Sequence, residues 1–289
     1  MNELVIISGK GGTGKTSLTA AFAALAKDMV LCDADVDAAD LHLLMKPRIR
    51  QRSDFMGGGL AEIILDKCTQ CGLCRDLCRF EAISPDFVVD PIDCEGCGVC
   101  VDFCPEEAID FPIQKCGEWF ISETRYGPMV HARLGIAEEN SGKLVSLVRQ
   151  ESARLAEEQE KELIITDGPP GVGCPVIASI GGASGVLIVT EPTVSGLHDM
   201  RRVADLAAHF KVPAMACINK FDLNLEQAEE IDNFAKDTHI KMLGRIPFDP
   251  VFTWSMIQGQ NLIEHSPESA SAEEIRNIWN KILEQQLLG

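Results

Sequence analysis

Gly9-Lys10-Gly11-Gly12-Thr13-Gly14-Lys15-Thr16 stands directly after an apolar run, Leu4 to Ile7, and directly before a helical pattern, Thr16 to Lys27. A G-x4-G-K-S/T spacing between a strand and a helix is that of a phosphate-binding loop. The residue types carry the chemistry. Glycines let backbone N–H groups approach a β-phosphate, and the helix N-terminus favours the anion. Lys15 spreads charge from the β- and γ-phosphates, and the Thr16 hydroxyl suits Mg²⁺. Gly9, Lys10, Gly11, Gly12, Thr13, Gly14, Lys15, Thr16 and Ser17 are therefore candidate nucleotide-binding residues. A generic glycine turn is the alternative, and the strand–loop–helix context disfavours it.

Further apolar runs lie at Val30 to Cys32, Leu163 to Ile165, Val186 to Val189 and Ala214 to Ile218, with the length and β-branched content of buried parallel strands. Helical patterns separate them at Lys143 to Lys161, Gly196 to Phe210, Leu225 to Asp237 and Ala270 to Leu288. Strands alternating with helices predict an α/β fold with a doubly wound, mostly parallel sheet. Trp119 to Ile121 and Met129 to Ala132 would form a hairpin within a mixed stretch from Cys116 to Asn140.

Twelve cysteines interrupt this scheme, eight of them between Cys68 and Cys104. Cys68, Cys71, Cys74 and Cys78 spell C-x2-C-x2-C-x3-C, and the pattern recurs 26 residues later at Cys94, Cys97, Cys100 and Cys104. Gly72, Ala82 and Ile83 recur as Gly98, Ala108 and Ile109, so the whole module is duplicated. In a reducing compartment such cysteines read as metal ligands. A pair of four-cysteine zinc sites is the alternative, but zinc sites separate two C-x2-C pairs by a longer loop. Gly57-Gly58-Gly59, after the basic Arg48 to Arg52, and Pro112 bracket the module. The expected organisation is a discontinuous nucleotide-binding domain, 1–59 and 113–289, with an inserted small α+β domain at 60–112.

The module resembles the bacterial two-cluster ferredoxins from about Ile63 to Phe111. In that pattern the distal cysteine of each run serves the other cluster. The resemblance assigns Cys68, Cys71, Cys74 and Cys104 to one [4Fe–4S] centre and Cys94, Cys97, Cys100 and Cys78 to the other. Pro105 after Cys104 follows the pattern, and Arg79 after Cys78 departs from it.

The extra Lys10 makes the loop similar to the deviant Walker motif of the MinD, ParA, Mrp and nitrogenase-iron-protein superfamily of P-loop ATPases. There a signature lysine reaches a partner's nucleotide across a dimer. Cys32-Asp33-Ala34-Asp35 resembles that family's switch I, and Asp167-Gly168-Pro169-Pro170-Gly171 its switch II. Ile246-Pro247-Phe248-Asp249-Pro250 resembles its base-holding loop, and Thr190-Glu191-Pro192-Thr193 also matches the group. The resemblance implies that Asp35 positions the attacking water, with Asp37 a competitor for that role. It implies that Asp33 and Asp167 orient Mg²⁺ through water, and that Asn219, Pro247 and Asp249 contact the base. The bland reading of Asp37 and Asp40 is an acidic loop with a helix cap. Asn219-Lys220-Phe221-Asp222 spells the N-K-x-D of GTPases, so GTP is the alternative to ATP.

The nearest pattern is that superfamily's subgroup with an inserted two-cluster ferredoxin domain. It implies an ATP- and Mg²⁺-dependent dimer, with itself or with a paralogous ATPase, passing electrons through two [4Fe–4S] clusters to a partner metalloprotein. A metallocluster assembly or carrier ATPase is the alternative, and a spatial-positioning ATPase is disfavoured. Cys174, beside the switch II segment, is either a third-cluster ligand or a packing residue, while Cys32, Cys116 and Cys217 read as core thiols.

Composition bounds the rest. The chain has 289 residues, 46% hydrophobic and 24% charged, with 26 Lys and Arg against 44 Asp and Glu for a net charge of −18. That balance argues against a sequence-independent nucleic-acid binder and a protein held on anionic lipid by charge alone, and leaves room for local basic sites. No run is long enough to span a bilayer and no signal sequence precedes Leu4, so a cytoplasmic location is expected. The six histidines form no metal-binding pair. Ile275, Ile278, Trp279 and Ile282 make a core-facing stripe on the last helix.

Overall fold

The strands around the phosphate loop assemble into a sheet because their residues are apolar on both faces. In the computed structural model, which describes residues 1–135 and 141–285, Leu4, Val5, Ile6 and Ile7 are all fully buried. Alternation across the pleat sends Leu4 and Ile6 into one core and Val5 and Ile7 into another. Each such side chain stabilises the fold by about 1.5–3 kcal/mol.

The strands are β1 (Asn2–Ser8), β2 (Met29–Asp33), β3 (Arg48–Gly59), β4 (Glu62–Ile63), β5 (Ile109–Asp110), β6 (Ile113–Thr124), β7 (Gly127–Leu134), β8 (Leu163–Pro170), β9 (Gly185–Thr190), β10 (Ala214–Asn219) and β11 (Lys241–Ile246). The helices are α1 (Lys15–Leu25), α2 (Leu41–Met45), α3 (Leu73–Leu77), α4 (Val99–Asp102), α5 (Ser141–Glu158), α6 (Cys174–Ile180), α7 (Val194–His209), α8 (Leu225–Asp237), α9 (Val251–Ile257), α10 (Leu262–His265) and α11 (Ala270–Leu283). Nine strands form one sheet in the order β11-β10-β9-β1-β8-β2-β7-β6-β3, and β4 pairs with β5. From β11 to β7 the recorded pairings are parallel. The result is an α/β P-loop fold with a mostly parallel sheet.

All five expected strands and all five expected helices form, and the weakly patterned hairpin is β6 and β7. The stripe on α11 is buried, with Trp279 stacked on Phe22 at 5.3 Å between ring centroids. The expected end of that helix near Leu288 and part of the mixed stretch, 136–140, lie outside the described residues. No helix among the described residues is long and apolar enough to cross a membrane.

The chain divides into two units. One holds Met1–Arg52, Trp119–Arg133 and the chain from Ser141 onward; the other is built on Ser53–Glu118. These divisions fall outside the expected 60 and 112, and the glycine run lies inside the second unit. Gly57 and Gly59 are strand residues of β3 rather than a flexible edge. A Cβ on Gly57 would meet the Phe55 ring at 2.7 Å, and one on Gly59 the Phe111 ring at 2.5 Å, so these glycines make room for aromatic rings.

The cysteine-bearing unit has an internal two-fold repeat. Ile64 N–H donates to Ala108 O and Asp90 N–H to Ala82 O, both at 2.8 Å and related by the 26-residue offset. The Ile63–Ile109 pair is answered by the Val89–Ile83 bridge. Left-handed backbone recurs in step at Gln70 and Gly96, Gly72 and Gly98, and Glu81 and Glu107. The duplication is thus conformational as well as compositional.

Candidate nucleotide site and cysteine cavities

β1 delivers the phosphate loop to the sheet's C-terminal edge, where ligands of open α/β sheets bind. The turn into α1 depends on Gly14, whose φ is 91° and where a Cβ would lie 2.3 Å from Asn219 Nδ2. That amide donates to Thr13 O at 2.7 Å, bracing the loop from β10. A cleft of about 350 Å³ runs over the loop, lined by Gly11 to Ser17, Asp35, Asp40, Leu43, Leu44, Pro170 and Met256 among others.

Beneath it the chain gathers charge. Lys15 Nζ lies 3.1 Å from Asp35 Oδ2 and 3.1 Å from Asp167 Oδ1, with all three residues buried. Thr16 Oγ1 donates to Asp167 Oδ2 at 2.8 Å, and Thr19 Oγ1 to Asp167 Oδ1 at 2.9 Å. Burial works to lower the Lys15 pKa, but the attraction of Asp167 and Asp35 outweighs it and the net shift is upward. Asp33 is wholly buried. Its Oδ1 accepts Asp35 N–H at 3.3 Å, while its Oδ2 has no partner among the described residues. Desolvation, reinforced by Asp167, raises its pKa well above the usual carboxylate range. Desolvation also raises Asp35, against the pull of Lys15. Two carboxylates thus share one ammonium, with the buried Asp33 beside them carrying an oxygen that has no partner among the described residues, which suits a divalent cation.

The remaining sequence-derived positions separate. Lys10 Nζ pairs with Glu191 Oε2 at 3.3 Å and reaches Ser195 Oγ at 3.4 Å. Lys220 Nζ binds the other Glu191 oxygen at 2.5 Å and Gly12 O at 3.1 Å, so Glu191 holds both lysines that flank the loop. Ser17 Oγ faces Met256 Sδ at 3.6 Å. Gly9 packs directly on Asp199. Asp37 is exposed, with burial by its loop raising its pKa, and Asp40 precedes α2 without a side-chain cap bond. Pro247 is half-buried. Asp249 uses its carboxylate on Val251 N–H at 2.9 Å and Ser271 Oγ at 2.8 Å, tying its loop to α11.

Thr19, Glu191 as a shared anchor, and the apolar wall of Leu43, Leu44 and Met256 escaped the sequence reading. Thr19 had a signal, standing one helical turn after Lys15. The wall had none, because Leu43 and Met256 are remote in sequence.

In the other unit the eight cysteines line two cavities. Cys68, Cys71, Cys74 and Cys104 face one; Cys78, Cys94, Cys97 and Cys100 face the other. The walls are otherwise largely apolar, with Ile63, Phe87 and Ile109 in the first and Ile83, Val89 and Phe111 in the second. Among the described residues no group of three or more His, Cys, Asp or Glu side chains converges on a single-ion point. Tetrahedral zinc with Zn–S of about 2.3 Å would draw its sulfurs to within roughly 4 Å of one another. Backbone N–H groups of Gln70 and Ala108 donate to Cys68 Sγ and Cys104 Sγ, each at 3.4 Å.

The other four cysteines divide. Cys32, Cys116 and Cys217 are buried, and burial pushes the Cys32 and Cys217 thiols up to about 12. Cys174 is exposed at the start of α6, which corrects its reading as a packed residue.

Fold and loop together define a P-loop nucleoside-triphosphate-binding protein. The family model described as the CobQ/CobB/MinD/ParA nucleotide binding domain matches residues 4–262, and the chain belongs to that family. It is 34% identical over 286 residues to an uncharacterized protein of Methanocaldococcus jannaschii, spanning 98% of this chain and 96% of that one. It is 27% identical over 146 residues to the cytosolic Fe-S cluster assembly factor NUBP2 of Rattus norvegicus, spanning 44% of this chain and 52% of that one. Among solved structures it is similar to the cell division ATPase MinD of Pyrococcus furiosus, with TM-score 0.61 at 18% identity and 98% of each chain covered. It is also similar to the septum site-determining protein MinD of Pyrococcus horikoshii complexed with Mg-ADP, with TM-score 0.60 at 16% identity, over 99% of this chain and 98% of that one.

Proposed function

We propose that the chain is a Mg²⁺-dependent ATPase whose nucleotide state governs one-electron transfer from an inserted ferredoxin-like domain to a partner metalloprotein. The observation that carries the redox half is the grouping of cysteines across the repeat, three from one run and one from the other, around each cavity. Cys68, Cys71, Cys74 and Cys104 would hold one [4Fe–4S] cluster and Cys94, Cys97, Cys100 and Cys78 the other. Bound there, the clusters supply reversible one-electron chemistry. The successive x2 spacing of three cysteines in each run favours clusters over zinc.

The nucleotide half follows from what Lys15 must give up. It rests on Asp35 and Asp167, and an incoming triphosphate draws its ammonium onto the β- and γ-phosphates. The carboxylates are then left without a cation. Thr16, and Asp33 and Asp167 through water, would hold the Mg²⁺ that restores the charge, and the unpaired Asp33 Oδ2 suits such a contact. Asp35, released by Lys15 at the cleft edge, orients the attacking water; the exposed Asp37 is the weaker candidate. Adenine is favoured over guanine because Asp222, the residue that would read guanine, accepts Phe248 N–H at 2.6 Å. Lys10, held by Glu191 within its own chain, would move to the nucleotide of a second copy or a paralogue when a dimer closes.

Anaerobic stopped-flow oxidation of the reduced chain by a viologen dye, with and without Mg-ATP, tests the coupling. The rates are expected to differ, and equal rates overturn it. The resemblance to a cluster assembly factor favours one second reading, a metallocluster assembly or carrier ATPase. ATP-dependent transfer of iron and sulfide to an apo-ferredoxin would establish that reading instead.

A further inference from the structure

The 26-residue repeat pairs the surroundings of the two cysteine sets residue by residue, so its departures are informative. Lys67 precedes Cys68 and Arg75 follows Cys74, where the second run has Asp93 before Cys94 and Val101 after Cys100. Thr69 is answered by Glu95. In the opposite sense, Arg79 follows Cys78 where Pro105 follows Cys104, and Glu106 lines the first cavity as Glu95 lines the second. Around the first set's ligands these positions therefore supply two cations, Lys67 and Arg75, and one acid, Glu106. Those adjoining the second set's ligands include two acids and one cation.

Hydrogen bonding departs from the repeat in the same direction. Gln70 N–H donates to Cys68 Sγ and Ala108 N–H to Cys104 Sγ. Both sulfurs belong to the first set. Among the described residues the repeat-related Cys94 and Cys78 sulfurs accept no such bond, although Gly96 shares the left-handed backbone of Gln70. Positive charge and N–H donors at the sulfurs both favour the form carrying one more electron.

We propose that the two sites are inequivalent, with the Cys68, Cys71, Cys74 and Cys104 centre the higher in potential and Lys67 and Arg75 the side chains that make it so. This rests on the reading of the cysteine sets as iron–sulfur sites. An electron from a low-potential one-electron donor converts one [4Fe–4S]²⁺ centre to [4Fe–4S]⁺, with no bond made or broken. It settles on the first set before the second. The second set is then the stronger reductant, and the first is where a single electron waits.

The test is a dithionite titration of the anaerobic, iron-loaded chain, followed by electron paramagnetic resonance. Two resolved steps are expected. Lys67→Asp with Arg75→Val lowers the upper step and leaves the lower in place, while Asp93→Lys with Glu95→Thr raises the lower. Lys67 and Arg75 are exposed, so added salt narrows the gap. A single step in a wild-type chain holding about eight irons, or a Lys67→Asp, Arg75→Val variant that moves the lower step, overturns the inequivalence and leaves the iron–sulfur reading standing. A chain that binds no iron overturns the reading itself.

Discussion

The nucleotide-binding unit and the cysteine-bearing unit build their sites by opposite means. In the first, Lys15, Asp35 and Asp167 come from separate segments, and a buried parallel sheet brings each carboxylate to 3.1 Å from the Lys15 ammonium. Its longer helices α7, α8 and α11 are capped by the side chains of Thr193, Asn224 and Ser269, although α1 starts on Gly14 without a side-chain cap. In the second, three of each set's four cysteines come from one short loop. Its helices α3 and α4 have five and four residues and no side-chain caps, and its own sheet is two residues wide on each strand. One site is presented by a sheet with an extensive apolar core on each face. The other is much of what its unit has to fold around, since so small a core is marginal alone.

Breaking that contrast at its strongest point means removing a ligand that crosses the repeat. Cys78→Ala should roughly halve the iron content. It should also expose Cys94, Cys97 and Cys100 to alkylation, read by mass spectrometry, while Cys68, Cys71 and Cys74 stay protected. Protection lost in the first run instead would mean that each run serves itself. Lys15→Ala should cut ATP hydrolysis by at least about 100-fold with iron content unchanged, because the nucleotide unit's fold does not depend on its ligand.

A smaller effect sharpens the same contrast within the sheet. His131 is buried beside Ser122, with its Nε2 2.9 Å from Ser122 Oγ, and stacks on Phe120. Burial lowers its pKa to about 4, against about 6.5 when unfolded. The unfolded chain therefore binds more protons between those values. Stability falls as pH drops through that window, by an amount on the order of 3 kcal/mol when complete. Urea unfolding of His131→Gln should show a flatter dependence between pH 4 and 6.5 than wild type; equal slopes would dismiss the effect. Smallest is Thr193→Ala, which removes the cap bond from Gly196 N–H at 2.9 Å and should cost about 1 kcal/mol in the same assay.

The legibility of the two units also differs. The phosphate loop and the doubled cysteine run were readable because their spacing is their chemistry: adjacent residues share one ligand. Strands such as Leu4 to Ile7 were readable because burial on both faces leaves no polar position. Gly57 to Gly59 misled, since glycine frees the backbone in isolation but here admits the rings of Phe55 and Phe111. Strand β11, which pairs with β10, escaped notice because Lys241 and Arg245 break its apolar run. Between the two readings of Cys174 the sequence could not choose, and its exposure at the start of α6 disfavours packing.

By itself the sequence determined the class of fold, the phosphate loop and the two runs of cysteine, all properties of residues close along the chain. Tertiary structure alone decided that Asp35 and Asp167 share one ammonium, that Glu191 anchors both Lys10 and Lys220, and that Leu43 and Met256 wall the cleft. It also decided that the Cys68 and Cys104 sulfurs accept backbone N–H bonds from Gln70 and Ala108. Such pairings form where strands and loops remote in sequence meet, and their energies depend on burial and distance, which residue order does not contain.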